Sequence, residues 1–152
     1  MDADNQFMKR AIELSRVAVK HGNEPFGAVL VKDNTIVFEN ENQIHTANDP
    51  TFHAELGLIR RFCSEKQIED LSDYTLYTSC EPCFMCSGAM VWAKLGRMVY
   101  AASNEDLEGT MGKKGVNCSK ITFEQMQRGP EVTGGILRNE SKKILAAYFE
   151  NN

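Results

Sequence analysis

Thr78-Ser79-Cys80-Glu81-Pro82-Cys83-Phe84-Met85-Cys86 is the stretch on which the fold of this chain turns. The β-rich residues 74–78 run toward a proline suited to the first position of a helix. Cys83 and Cys86, at i and i+3, then project from one face of a first helical turn, where both sulfurs reach a single tetrahedral metal ion. Alone, a Cys-x-x-Cys spacing also serves redox pairs of thioredoxin type. His53-Ala54-Glu55, at the start of an earlier helix, supplies what a redox pair does not need: an imidazole and a nearby carboxylate. A closed structural zinc site takes four protein ligands, so His53, Cys83 and Cys86 would hold one zinc ion per chain and leave a coordination position open to water.

Cys80 is the available fourth ligand, which would make the site a closed structural knot. It ends a strand before Pro82, however, and reads as a small buried residue beside the site. Cys63 and Cys118 belong to no ligand pattern. Glu55 separates catalyst from scaffold. A first-turn Glu can simply favour the helix dipole, but two residues from a metal ligand it is placed to take a proton from water and return it to a departing amine.

Working outward, Phe7, Ala11, Leu14 and Ala18 stripe a helix over 5–20 that Gly22 ends. Residues 26–31 and 35–38 read as a hairpin across Asp33-Asn34, followed by a polar segment, 39–50. Asp49-Pro50-Thr51 reads as the start of a second helix carrying Ala54, Leu58, Ile59 and Phe62 on one face. The helix opened by Pro82 runs to Gly96. Residues 98–102 form a strand, 109–115 are irregular, 121–127 are a short helix or strand, 131–136 are extended, and Ile144, Leu145, Tyr148 and Phe149 line a last helix. Strands alternating with helices predict a mixed sheet covered on both faces, a three-layer α/β/α sandwich.

Length and composition fit that plan. A chain of 152 residues, 42% apolar, buries one core, so residues 1–152 are read as a single domain. Lys and Arg total 17 against 21 Asp and Glu, and a net charge of -4 argues against a broad phosphate-binding face. Lys113, Lys114, Lys120 and Arg128 read as a solvated face. No apolar run spans a bilayer and the N-terminus is acidic, which points to a cytoplasmic protein without a membrane partner. Five cysteines, two of them at ligand spacing, disfavour a disulfide framework.

The two motifs resemble those of the cytidine deaminase superfamily, whose zinc base-deaminase signature is a His-x-Glu followed by Pro-Cys-x-x-Cys. The likeness extends through Pro25-Phe26-Gly27-Ala28-Val29, Asn48-Asp49-Pro50-Thr51 and Gly88-Ala89-Met90. Within the superfamily it is strongest to guanine deaminases and tRNA adenosine deaminases. The resemblance implies zinc on His53, Cys83 and Cys86, proton transfer by Glu55, and substrate contacts from Asn42, Phe26, Ala54 and Trp92. It also implies a central five-stranded sheet and a homodimer. For the reaction it implies hydrolytic deamination of a purine base, guanine to xanthine, with wobble adenosine of tRNA, or cytosine or a pterin, as alternatives. A zinc-stabilised binding module is the non-enzymatic alternative, and it has no use for Glu55. The motif region is more similar to the free-purine enzymes, whereas 129–149, with Gly134-Gly135-Ile136-Leu137, is more similar to the tRNA editors. Phe52 stands where relatives carry a small residue, and Asp106 and Glu108 do not align with the acidic pocket group of the guanine enzymes.

Overall fold

Phe7, Met8, Ala11, Ile12 and Ala18 repeat at helical spacing, and they are the buried face of the first helix, α1 (Asp2–Lys20). It stops where Gly22 takes φ +89° and the Asn23 N–H reaches back to the Ala18 carbonyl. The computed structural model, which describes residues 2–150, continues with the expected hairpin, β1 (Gly27–Lys32) and β2 (Thr35–Glu41). Asp33 and Asn34 both have positive φ, 51° and 60°, as a type I′ turn demands. Next come α2 (Ile44–Ala47), α3 (Ala54–Lys66), β3 (Thr75–Cys80), α4 (Phe84–Trp92) and β4 (Arg97–Ala102). The chain closes with α5 (Asn104–Thr110), α6 (Cys118–Met126), β5 (Glu131–Thr133) and α7 (Arg138–Glu150).

Among the described residues, five strands form one sheet in the order β2-β1-β3-β4-β5. β1 is antiparallel to β2 and β3, while β3, β4 and β5 run parallel, so the sheet is mixed. Alternation along the strands builds two cores. Ala28, Leu30, Leu76 and Met98 pack with Leu58 and Phe62 of α3 and Met90 of α4. Val29, Val31, Tyr77, Val99 and Ala101 face the apolar stripe of α1, with Ile144 of α7 at its edge. The result is the three-layer α/β/α sandwich. Gly27 lets α1 approach β1 closely, since a Cβ there would lie 2.3 Å from the Ala11 carbonyl oxygen. No helix among the described residues is long and apolar enough to cross a membrane.

Several local expectations are corrected. Asp49-Pro50-Thr51 is not a helix start: Asp49 Oδ1 accepts the Thr51 N–H at 2.9 Å and its hydroxyl at 2.7 Å, forming an Asx turn, and α3 begins at Ala54. Pro82 likewise precedes α4 instead of opening it, because Cys83 is still extended at φ -71°, ψ 179°. The loop after β4 contains a helix the sequence reading missed. Ser103 caps it by accepting the Asp106 N–H while Asp106 accepts the Ser103 N–H, a capping box written as Ser-x-x-Asp. Residues 121–127 resolve into helix α6 and not a strand, and β5 ends at Thr133, ahead of the positive φ of Gly135 and Leu137.

Candidate active site

The helices bearing the candidate ligands begin at one edge of the sheet, beyond the carboxyl end of β3. His53 is the N-cap of α3 and Cys83 the N-cap of α4, both with extended backbone. Each carbonyl receives the first helical bond, from Gly57 and Ser87, at 2.9 Å. Neither side chain caps its own helix, so the imidazole and the thiol turn toward each other. Asn40 Nδ2 donates to the Ala54 carbonyl at 2.9 Å and pins the start of α3 to β2.

Cys83 Sγ and Cys86 Sγ each lie 3.6 Å from His53 Nδ1. Tetrahedral zinc, with bonds of about 2.3 Å to sulfur and about 2.0–2.1 Å to nitrogen, separates such donors by roughly 3.5–3.6 Å. The residues therefore fit the ion, and His53, Cys83 and Cys86 form the group among the described residues positioned to hold a metal. Cys80 is not in that group. It packs with Ala102 and Leu145, away from the three ligand atoms.

Electrostatics favour metal capture. A hydrogen bond from the Cys86 thiol, and then one from His53, hold Cys83 down at about 4, while giving that bond and being buried push Cys86 up. A bound metal would displace the remaining proton, since sulfur ligates as thiolate. The Leu56 N–H in the first turn of α3 acts the other way on Cys86, favouring its thiolate. Glu55, 6% exposed, is pushed up to about 7 by burial and by the neighbouring Cys83 charge.

A cavity of about 80 Å³ adjoins these groups, lined by Phe26, His53, Glu55 and Cys83 together with Glu81, Asn104 and Leu107. Asn42 is buried next to it: its N–H donates to the Phe26 carbonyl, and its Oδ1 accepts the Glu24 and Ile44 N–H groups. Ala54 is fully buried against the sheet, with its carbonyl held by Asn40, and is not among the residues that line the cavity. Trp92 lies elsewhere: it is 73% exposed at the far end of α4, under the Arg128 guanidinium and outside the cavity wall. Phe149 of α7 instead packs on Phe26, ring centroids 6.2 Å apart. Glu81, Asn104 and Leu107 escaped the sequence reading. The capping signature beginning at Ser103 was the available signal, because it fixes the start of the helix that brings Asn104 and Leu107 to the wall.

Three ligand atoms in zinc geometry, an adjacent buried carboxylate and a cavity at the carboxyl ends of parallel strands define a site built for zinc-assisted hydrolysis. The chain belongs to the family of the cytidine and deoxycytidylate deaminase zinc-binding region, which it matches over residues 1–102. It is 48% identical to the guanine deaminase of Bacillus subtilis over 101 residues, 66% of this chain and 65% of that enzyme. To the tRNA-specific adenosine deaminase of Buchnera aphidicola subsp. Baizongia pistaciae it is 33% identical over 150 residues, covering 98% of this chain and 90% of the other. The solved structure of a guanine deaminase from Nitrosomonas europaea superposes with a TM-score of 0.84 at 25% identity, covering 96% of this chain and 84% of that one.

Proposed function

We propose that this deaminase acts on a free purine base, converting guanine to xanthine with release of ammonia. The observation that carries this reading is the composition of the cavity wall. It holds the carboxylate of Glu55, with Glu81 and Asn104 engaged in hydrogen bonds of their own, and has no Lys or Arg among its described lining residues. Such a wall suits a small uncharged heterocycle, whereas a polyanion draws its affinity from cationic contacts. The 48% identity to the Bacillus subtilis guanine deaminase supports the same assignment.

When bound, zinc acts as a Lewis acid and lowers the pKa of a water at its open position. Glu55 takes a proton from the attacking water, gives it to a ring nitrogen beside the amine-bearing carbon, and delivers the second proton to the leaving amine. The C–N bond breaks as the carbonyl forms, and ammonia departs. Phe26 offers the ring an aromatic face. Asn42, whose Oδ1 is already held by two backbone N–H groups, has its Nδ2 left as the side-chain donor for a base edge in this reading.

Ammonia release from guanine, adenine, cytosine, their nucleosides and amino-pterins tests the proposal. Turnover is expected with guanine or a related aminopurine; release from a pyrimidine alone would overturn it. The similarity across 98% of the chain to a tRNA-specific enzyme favours a second reading, deamination of wobble adenosine. Inosine formation in a transcript, suppressed by salt and without activity on free bases, would establish that reading in place of the first.

Phe84, Met85 and Trp92 expose an apolar strip along α4, 52%, 36% and 73% accessible, directly after the ligand Cys83. A second copy of the chain covers it in a two-fold dimer, the commonest way such a strip is buried. Light scattering on the eluting protein should give twice the chain mass, and the Phe84→Glu, Trp92→Glu double variant should elute as a monomer. Monomeric wild type would rule the dimer out.

A further inference from the structure

We infer that Glu81 is a positioning residue, whose buried carboxylate fixes the cavity wall by tying the metal-ligand loop to the starts of α5 and α6. Glu81 stands two residues before Cys83 and is 5% exposed. Its own N–H donates to the Ala102 carbonyl at 2.7 Å, continuing the β3–β4 ladder past its last pair, Cys80 with Ala102. Oε1 accepts the Asn104 N–H at 3.0 Å, and Oε2 accepts the Ser119 hydroxyl. Asn104 answers in both directions: Nδ2 donates to the Glu81 carbonyl at 3.0 Å, and Oδ1 accepts the Cys118 N–H at 3.0 Å.

One carboxylate and one amide thus join three segments that sequence separates, 81–83, 103–107 and 118–119. Glu81 and Asn104 both line the cavity beside Glu55, and Leu107 extends the same wall from α5. Glu81 also borders a second concavity of about 420 Å³, with Tyr100, Ser119 and Phe123. These hydrogen bonds thus fix a residue that both spaces share. Loosening them changes how firmly a base is held and leaves the His53, Cys83, Cys86 and Glu55 constellation intact.

The inference rests on the family's deaminase reaction and on whichever base the wild type turns over. Glu81→Ala removes both acceptors, and should raise KM about tenfold with kcat within about threefold, a loss of binding and not of chemistry. Zinc should stay at one ion per chain. Glu81→Gln keeps an acceptor for the Asn104 N–H and gives the reversible Ser119 hydroxyl a donor, so it should restore KM to within about threefold of wild type. Hydrogen exchange on the zinc-loaded protein reads the same contacts without any substrate: Glu81→Ala should lose protection over 103–120 and keep it elsewhere. Unchanged exchange in that segment, zinc and kcat falling together at constant KM, or Glu81→Gln behaving like Glu81→Ala would each overturn the inference. A wild type inactive on every purine base would instead refute the substrate proposal, and the exchange experiment would still decide the role of Glu81.

Discussion

Glu55→Gln is expected to keep one zinc ion per chain while turnover falls by about 10²–10⁴, the usual worth of a positioned acid–base group. The amide nearly matches the carboxylate in size and carries no charge, so it suits a side chain that is 6% exposed, and thermal stability should hold or rise. What it cannot do is accept a proton from water and pass it to the leaving amine. Metal analysis, a melting curve and steady-state ammonia release on one preparation separate these effects. Turnover within about threefold of wild type would remove Glu55 from the mechanism and leave it the role of a helix-start carboxylate.

Cys86→Ala should have the other large effect. Its sulfur is fully buried at the third position of α4, and its loss leaves His53 and Cys83 as a two-ligand remnant. Zinc should fall well below one per chain and turnover below about 1% of wild type, because the Lewis-acid centre is gone. The variant should also melt earlier, since a metal that joins two helix starts stabilises the fold it completes. A chelator should reproduce the loss in wild type, and added zinc should reverse it there but not in the variant. A variant that retained zinc and activity would sink the three-ligand site. Cys80→Ala is the internal control: its thiol faces Ala102 and Leu145, so metal content should be unaffected.

Elements whose signals are local were legible. The stripe of α1 and its Gly22 stop, the Asp33-Asn34 turn, and strands β3 and β4 each depend on a few neighbouring residues, and each formed close to where the sequence placed it. Helix starts were read too early at Asp49-Pro50-Thr51 and at Pro82. In both cases the helix starts later, at an N-cap residue with extended backbone, His53 and Cys83, whose side chain meets a distant partner that propensity does not contain. Helix α5 was written in its capping box, but the glycines that follow it drew the segment into a loop.

The sequence by itself determined the donor chemistry: one imidazole, two thiols and a carboxylate, at spacings that require helix starts to aim them. That information is local, because an i, i+3 relation survives in any fold that keeps the turn helical. Only the tertiary structure decided which side chains face the cavity. Cys80 lies outside the ligand group, packed with Ala102 and with Leu145 of α7, a contact set by where α7 docks. Trp92 lies two helical turns beyond Cys83 and ends in the open, whereas Asn104 and Leu107 reach the wall because parallel pairing brings the end of β4 beside the end of β3. Such neighbours are set by strand order and helix docking, and these depend on the burial of the whole apolar set at once.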